Sequence, residues 1–349
     1  MKKTLLAAAI PALLAANVSA VELYDDGKNS FAIGGHMTIQ ANASDGDVNV
    51  AGNSPRMNFS WNSDLGNGYK LDSRIEYGFS DVVGDADNVL FHRLGYIGVS
   101  HEDFGRVSIG KQWSAYFVAS QATDQPIYIS SDALHTYGGA AGSHGDLGLG
   151  RANSAIQYTN NFDVAGGNFS FVAQHQGAQG NFDDRYSIGM AYKHGDLRVA
   201  YAYSGGDVTF DATVSPAMVT DNTVDVNTQV VSANYGSYGD GLSLAAAYSW
   251  AENLQGLGID SFGYEAVAAY GTGTFTYAVK HQYLENDTEL FGKNGAAFNH
   301  TFATVEWNVA SNFVPFVGYT VEHDLDVLDA NGNVAKNDNN FAIGARVYF

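Results

Sequence analysis

The chain has 349 residues, with 37 Asp and Glu against 17 Lys and Arg and a formal net charge of −20. This acidic balance argues against a nucleic-acid partner, because phosphate recognition requires a basic surface. Cysteine is absent, which excludes a disulfide framework and a thiolate metal site. The 40 Gly, 21 Tyr and 20 Phe beside only 5 Pro favour strands joined by tight turns.

Residues 1–20 are predicted to be a secretory signal. Lys2 and Lys3 precede an apolar run from Leu5 to Ala16, and small residues ending at Ala20 precede the expected cleavage point. This run is too short for a spanning helix, and no later stretch approaches the roughly 18 apolar residues that such a helix needs. We therefore expect an exported chain with one domain, residues 21–349, and no helical anchor.

From residue 21 onward, apolar or aromatic side chains alternate with polar or small ones over segments of about ten residues. In the first segment, Phe31, Ile33 and Met37 fall on one face, whereas His36 and Gln40 fall on the other. Alternation with period two predicts a strand whose two faces meet different surroundings. Counting such segments predicts about sixteen strands.

The connections between these segments are of two kinds, which alternate along the chain. Short ones, such as 64–68, 194–196 and 271–273, carry Gly, Asn or Asp, which tolerate positive φ. Long ones run near 41–54, 80–88, 114–150, 205–226, 285–297 and 324–338. Short turns on one side and long acidic loops on the other are typical of an all-β, antiparallel, up-and-down transmembrane barrel.

A soluble β-sandwich or propeller is the alternative fold. The sequence shows no blade-length repeat, and the face opposite the apolar one is rich in Gly, Ser, Thr, Asn, Arg and Lys. The last segment, from Phe341 to Phe349, also alternates and ends on an aromatic residue. We expect it to pair with the first strand, because an open edge in hydrocarbon leaves backbone groups unsatisfied.

Several stretches resemble the general bacterial porins of Gram-negative outer membranes. They are the opening 21–27, the turn 63–68, the hairpin 93–99 with 104–113, the pair Gly150-Arg151 after a long loop, and the terminal Phe349. The resemblance covers nearly the whole chain and implies a trimeric outer-membrane barrel with short periplasmic turns and long extracellular loops. It further implies a passive channel for small hydrophilic solutes and ions, in contact with lipopolysaccharide and other outer-membrane lipid, without a cofactor.

In that family the third loop folds into the lumen, and its acidic residues face a ladder of basic residues on the wall. The corresponding segment here is about 114–149, and its length alone argues for a functional loop. Asp124 and Asp132 are the expected acids, with Asp146 a weaker candidate.

By the same resemblance, the basic wall consists of Arg56, Arg93 and Arg151, with His36 where the family often has a lysine. Alternation alone adds a further set of charged residues that should face the lumen. These are Lys70, Asp72, Arg74 and Glu76.

Opposed charges across a narrow passage orient water and dipolar solutes, and rings of charge select among ions. A neutral histidine at position 36 and the acidic total together predict a preference for cations. The alternative role for each wall residue is an inward charge paired with a neighbour in the wall, with little influence on selectivity.

Neither an enzyme nor a metal site is expected. The acidic loop that contains Asp324, Asp326 and Asp329 misses the EF-hand spacing and lacks its terminal Glu, and no two histidines have zincin spacing. A saturable, substrate-specific channel and a surface-recognition or adhesin barrel remain as alternative functions. Sugar-specific barrels have an aromatic track in the lumen, whereas most aromatic residues here have the lipid-facing parity, with Phe316 and Tyr348 as exceptions.

Overall fold

The computed structural model describes residues 20–85, 87, 89–137, 144–145, 147–209, 223–254, 259–287, 295–323 and 339–349. Residues 1–19 of the expected signal, Asp146 and the acidic loop 324–338 lie outside the described residues. None of the helical segments in the described part of the chain has the length and hydropathy of a membrane-spanning helix.

The described residues form strands, one helical turn, α1 (Phe117–Ser120), and one 3-10 turn, Gln121–Thr123. The strands are β1 (Val21–Asp25), β2 (Asn29–Ser44), β3 (Asp47–Gly52), β4 (Arg56–Gly66), β5 (Tyr69–Phe79), β6 (Leu90–His101), β7 (Gly105–Trp113), β8 (His144–Gly145), β9 (Arg151–Val164), β10 (Gly167–Gln176), β11 (Arg185–His194), β12 (Leu197–Thr209), β13 (Thr223–Ser237), β14 (Asp240–Leu254), β15 (Ile259–Thr272), β16 (Phe275–Asp287), β17 (Gly295–Trp307), β18 (Phe313–Glu322) and β19 (Asn340–Tyr348).

Sixteen of these strands close into a ring of antiparallel neighbours, which confirms the predicted count. The ring runs through β2, β4 to β7 and β9 to β19, and β19 pairs back with β2. The other three strands are accessories: β3 pairs with the far end of β2, β8 runs parallel to the start of β9, and β1 lies beside the start of β2.

The seam of the barrel lies between the two ends of the chain. The Gly35 amide donates to the Phe349 carbonyl oxygen at 2.8 Å, and the Phe349 amide donates back to the Gly35 oxygen at 3.1 Å. Where β19 ends, β1 continues along the same edge of β2 and pairs with residues 30–33. The terminal strand therefore closes the barrel as predicted, and the seam leaves no open edge in the hydrocarbon.

Burial alternates along the strands as the sequence pattern predicts. In β11, Tyr186 and Ile188 are exposed on the outer surface, whereas Arg185 and Ser187 are buried on the inner one. Aromatic pairs such as Phe275 with Trp307 lie beside the short turns, where an interfacial girdle is expected. The lipid and the lumen thus account for the two faces of each strand.

Gly110 in β7 shows why one strand position requires glycine. Its φ is +126°, and a Cβ at this position would overlap the Gly95 carbonyl oxygen of β6. Since L side chains rarely adopt this conformation, glycine permits the close approach of the two strands.

Candidate functional site

The connection between β7 and β9, residues 114–150 and here called the third loop, turns into the barrel instead of away from it. Its first part, including α1, contacts β11, β12 and β13. Ala115, Tyr116 and Val118 are buried in one apolar cluster with wall residues such as Val172 and Val230. Burial of this apolar face holds the start of the loop against the inner wall.

Hydrogen bonds fix the same part of the loop. The Gln174 side-chain oxygen of β10 accepts from the Ala115 amide at 3.2 Å. Arg198 of β12 donates from Nη2 to the Val118 carbonyl oxygen at 2.7 Å. Both wall residues project inward by the strand alternation, so the sequence places polar partners where the loop backbone needs them.

Further along the loop, His135 lies between two serine hydroxyl groups of the wall. Its Nδ1 is 3.0 Å from Ser249 Oγ, and its Nε2 is 2.7 Å from Ser261 Oγ. Burial lowers the pKa of His135 to about 3, so this imidazole is neutral at physiological pH. It therefore serves as a hydrogen-bonding attachment and carries no charge into the lumen.

The loop also reaches the opposite side of the barrel. The Ile127 amide donates to Glu306 Oε1 of β17 at 2.7 Å, and Tyr128 Oη lies 2.9 Å from Thr320 Oγ1 of β18. Asn53, beside the end of β3, donates to the Ile127 carbonyl oxygen at 3.2 Å. The third loop thus crosses the lumen from β7 to β18, as the resemblance implied.

The space left beside the third loop is a cavity of about 1750 Å³. Within the described part of the chain, eight Lys or Arg and seven Asp or Glu side chains line it. The cavity wall is therefore almost balanced in charge, in contrast to the acidic total of the chain.

A group of guanidinium side chains lies on the wall beside the loop; Arg56, Arg74, Arg93 and Arg151 are called the arginine cluster below. Arg93 Nε and Arg74 Nη2 each donate to a different oxygen of Glu76 at 2.8 Å. Glu76 is only 3% exposed, so two guanidinium groups share one buried carboxylate. Arg74 and Arg93 thus have the wall pairing that was the alternative expectation for these residues.

The other two members of the arginine cluster have no carboxylate hydrogen-bond partner among the described residues. Arg56 donates to the carbonyl and hydroxyl oxygens of Ser54, at 3.2 and 2.9 Å. Arg151 lies over the Trp113 ring at 5.5 Å, and that ring stacks on Phe117 at 4.1 Å. Arg151 is 4% exposed, and its Nε has no hydrogen-bond partner among the residues that the structure describes. Aromatic contact, rather than an ion pair, orients this guanidinium.

Asp124 and Tyr137 of the third loop face this part of the wall. Tyr137 Oη donates to Asp124 Oδ2 at 2.7 Å, and both side chains line the cavity. Burial raises the pKa of Tyr137 well above its ordinary value, and the Asp124 carboxylate adds to this effect. The positive charges of Arg56 and Arg151 act on the same hydroxyl in the opposite direction. The loop therefore presents an acid and a phenol to the arginine cluster.

Of the ten described residues predicted to face the lumen, seven line the cavity and three do not. The seven are His36, Arg56, Arg74, Glu76, Arg93, Asp124 and Arg151. Asp72 accepts hydrogen bonds from Arg106 Nε and Nη2 at 2.9 and 2.7 Å. Lys70 is exposed beside the short turn that precedes β5 and pairs in register with Asp64. Asp132 is half-buried and accepts a hydrogen bond from Ser130 Oγ at 2.7 Å.

His36 is 8% exposed and lies in β2 directly opposite Arg56. Its Nδ1 is 3.1 Å from Thr38 Oγ1, and its ring meets Tyr348 edge-on at 5.8 Å. The imidazole is therefore held by wall neighbours.

Two residues of the cavity wall, Arg346 and Trp113, were not predicted from the sequence. Arg346 of β19 lines the cavity, donates from Nε to Thr38 Oγ1 at 2.7 Å and lies over Tyr348. The alternation of the last strand placed it opposite Phe341 and Val347, so its inward direction was available from the pattern. Trp113 also lines the cavity, and nothing in its local sequence distinguishes it from a lipid-facing aromatic residue.

A closed sixteen-strand barrel with an apolar exterior, a polar interior and a loop inside the lumen defines the class of outer-membrane diffusion channels. Residues 4–323 match the family described as Gram-negative porin, and the chain belongs to that family. It is an outer-membrane channel for passive diffusion, and the fold and family point away from an enzyme.

Named relatives agree with this membership. Porin-like protein L of Photobacterium profundum is 24% identical over the full length of both chains. Outer membrane porin F of Salmonella typhimurium is 28% identical over 230 residues, 60% of each chain. Among solved structures, Salmonella typhi OmpF in complex with daunomycin matches with a TM-score of 0.75 and 21% identity, over 94% of this chain and 100% of that one. OmpT of Vibrio cholerae matches with a TM-score of 0.70 and 18% identity, over 95% and 100%. At these identities the structural likeness supports the fold.

Proposed function

We propose that the channel has a charged waist, formed where the arginine cluster faces Asp124 and Tyr137 of the third loop. Small hydrophilic solutes and ions pass by diffusion through the space between the loop and the wall. The observation that carries the proposal is the third loop inside the lumen, with the Asp124 carboxylate lining the same cavity as the guanidinium groups of the wall.

The physical consequence of this arrangement is a transverse field across a wet passage. Water and dipolar solutes align in such a field, whereas an apolar solute loses hydration without compensation. Arg56 and Arg151 contribute most to the positive side, because Arg74 and Arg93 share Glu76. The charge of the waist therefore depends on the two arginines without a carboxylate hydrogen bond.

We also propose a preference for cations, and we expect it to be modest. The net charge of −20 supports it, since acidic loops around the mouth concentrate cations. The nearly balanced cavity lining limits it, because rings of charge along the passage determine ion selectivity.

The functional unit is proposed to be a homotrimer that contacts lipopolysaccharide and other outer-membrane lipid. The exposed apolar residues of the outer wall suit either lipid or a second copy. A structure of Vibrio cholerae OmpT is described as a trimer form, and this chain matches it with a TM-score of 0.68.

Single-channel conductance in a planar bilayer with a salt gradient tests the function. We expect ohmic steps that close in groups of three at high voltage, with a reversal potential biased to cations. The rate of liposome swelling should fall smoothly as the size of the sugar increases. For a given sugar, the rate of uptake should not saturate as the sugar concentration rises. A silent bilayer would contradict the channel, and saturable transport blocked by one solute would favour a substrate-specific channel instead.

Two matched alanine variants test the waist. Replacement of Arg151 removes a positive charge from the cavity lining, whereas Lys70→Ala removes one beside a short turn, from a residue that does not line the cavity. We expect the reversal potential to move further toward cations for Arg151→Ala than for Lys70→Ala. Equal shifts would place the selective region elsewhere.

A further inference from the structure

A buried charged pair lies on the inner wall where the third loop crosses it, and neither of its residues lines the cavity. Glu265 of β15 and Lys280 of β16 are 3.0 Å apart, and their side chains are 0% and 1% exposed. Among the ion pairs between described residues, this one is the least exposed. The middle of the third loop, residues 123–133, covers it.

The loop presents hydrogen-bond donors to the carboxylate. Thr123 Oγ1 donates to Glu265 Oε2 at 2.5 Å, and the Ala133 amide donates to Glu265 Oε1 at 3.1 Å. Each oxygen of Glu265 thus has one partner from the loop, and the two partners lie ten positions apart in sequence. The carboxylate therefore holds together both ends of the loop's middle segment.

The loop presents acceptors to the ammonium group. Lys280 Nζ donates to the Ser130 carbonyl oxygen and to Ser131 Oγ, both at 2.9 Å. Gln282, the next inward residue of β16, also donates to the Ser130 oxygen. The polarity of the loop surface thus matches the order of the two charges: donors lie over Glu265 and acceptors over Lys280.

The wall is also shaped to receive the loop backbone at this point. Gly263, two positions before Glu265 and on the same face of β15, lies against Ala133. A Cβ at this position would overlap the Ala133 carbonyl oxygen. A glycine inside a strand weakens the strand, and a close approach of a second backbone is a physical reason to have one there.

A fully buried ion pair is weak support for stability by itself, because two charges lose their hydration. It persists where hydrogen bonds satisfy the remaining donors and acceptors. Here the third loop supplies four of those bonds. The stability of the ion pair therefore depends on the position of the loop, and the position of the loop depends on the ion pair.

We infer that Glu265 and Lys280 are positioning residues that fix the middle of the third loop against β15 and β16, and thereby set the cross-section of the passage. The inference rests on the proposed function, since the loop must border the conducting space for its position to matter. Neither residue lines the cavity, so their effect on conduction is exerted through the loop.

The first experiment removes either charge while keeping the side-chain size. Glu265→Gln and Lys280→Met each leave the other charge buried without its partner, which is strongly destabilising. We expect the population of molecules in which the middle of the third loop has left the wall to rise about a hundredfold or more. We expect single-channel records with frequent current fluctuations and a lower closing voltage.

The matched control is Glu285→Gln on the same strand as Lys280. Glu285 accepts a hydrogen bond from Tyr283 at 2.5 Å and, among the described residues, none from the third loop. Its records should match wild type. A control as noisy as Glu265→Gln would show that the fluctuations arise from charge loss anywhere in this wall, and would overturn the inference.

The second experiment exchanges the two charges in one protein, Glu265→Lys with Lys280→Glu. If the pair only joins β15 to β16, the exchange restores it and the channel behaves as wild type, which contradicts the inference. If the pair holds the loop, the exchange places an ammonium beside the Ala133 amide and a carboxylate beside the Ser130 oxygen. We then expect fluctuations at least as frequent as in Glu265→Gln.

A third variant displaces the same part of the third loop without changing any charge. Gly263→Ala should displace Ala133 and reproduce the fluctuations, whereas Gly177→Ala, whose Cβ would meet only a backbone oxygen at 3.9 Å, should not. The two glycine variants test the role of the loop even if the charge variants fail to assemble, as judged by migration of the unheated protein on a gel. Conducting Gly263→Ala channels as quiet as wild type would overturn the inference, whereas silent wild-type channels would overturn the proposed function instead.

Discussion

The buried carboxylate of the waist offers a direct test of electrostatics in the lumen. Glu76 accepts from both Arg74 and Arg93 at 2.8 Å, so Glu76→Gln removes one negative charge while keeping a hydrogen-bond acceptor of the same size. Arg74 and Arg93 then lose the negative charge that both of them contact. We expect anions to gain permeability and cations to lose it.

Coulomb's law gives the size of this effect. A unit charge in water acts on an ion about 4 Å away with about 1 kcal/mol, and at about twice that distance with about 0.5 kcal/mol. The smaller value changes each permeability about 2.3-fold, in opposite directions for the two signs of charge. The ratio of cation to anion permeability should therefore fall about fivefold.

The assay is the reversal potential of many channels in a bilayer with a salt gradient, repeated in dilute and concentrated salt. The shift should shrink in concentrated salt, because screening shortens the reach of the charge. Glu76→Asp, which keeps the charge and shortens the side chain, is the control. Equal shifts for the Gln and Asp variants would refute the electrostatic reasoning and assign the effect to altered packing of Arg93.

Three further outcomes are expected. Replacing Arg56, Arg93 and Arg151 together with Ala should raise both conductance and cation preference, since charge and bulk leave the waist together; unchanged single-channel conductance would move the waist elsewhere. Burial lowers the pKa of His135 from 6.5 to about 3, so His135 is protonated at a higher pH when the loop is detached than when it is attached. The attachment is therefore fully stable above about pH 6.5 and weakens as pH falls toward about 3, so voltage-induced closure should become easier on acidification, and less so in His135→Asn. Gly110→Ala should destabilise the barrel by about 1–3 kcal/mol, which lowers the temperature at which the unheated band disappears from a gel.

The barrel itself was predictable because its determinants are local. Alternation with period two is written into each strand, and the pairing of the last strand with the first follows from the absence of water in the hydrocarbon. Tyr186 and Arg185 lie on the outer and inner faces that their parity indicates. The porin resemblance is confirmed by the family match, whereas the signal segment stays a prediction.

The alternation of polar and apolar residues does not predict how far along the barrel axis a side chain lies. Lys70 and Arg74 have the same parity in β5, yet only Arg74 lines the cavity. Parity gives the face of a side chain, and the distance from the short turn gives its height in the barrel. Lys70 lies near the turn at 67–68 and Arg74 lies four residues further along β5, a difference in height that parity does not express.

The path of the third loop was not predictable in detail, since it depends on partners that are far away in sequence. His135 meets Ser261, and Thr123 meets Glu265, 142 positions along the chain. Serine and glycine residues on inward-facing strand positions are common in this sequence, and nothing local distinguishes Gly263 as the position that receives the loop. Only the folded barrel brings these residues together.

The distribution of charge explains why the net charge of the chain is a poor guide to the ions that pass. Within the part of the chain that the structure describes, eight of the 17 Lys and Arg of the sequence line the cavity, against seven of its 37 Asp and Glu. Among the described residues, the cavity wall therefore lacks the acidic excess of the whole sequence. In the proposed channel, an ion outside the waist meets the net negative charge of the chain, but an ion in the waist meets Arg56 and Arg151 at close range, where charges act most strongly. Added salt screens distant charges more than those of the enclosed waist. The proposed cation preference should therefore decline as salt concentration rises, and a preference independent of salt would place its origin in the waist.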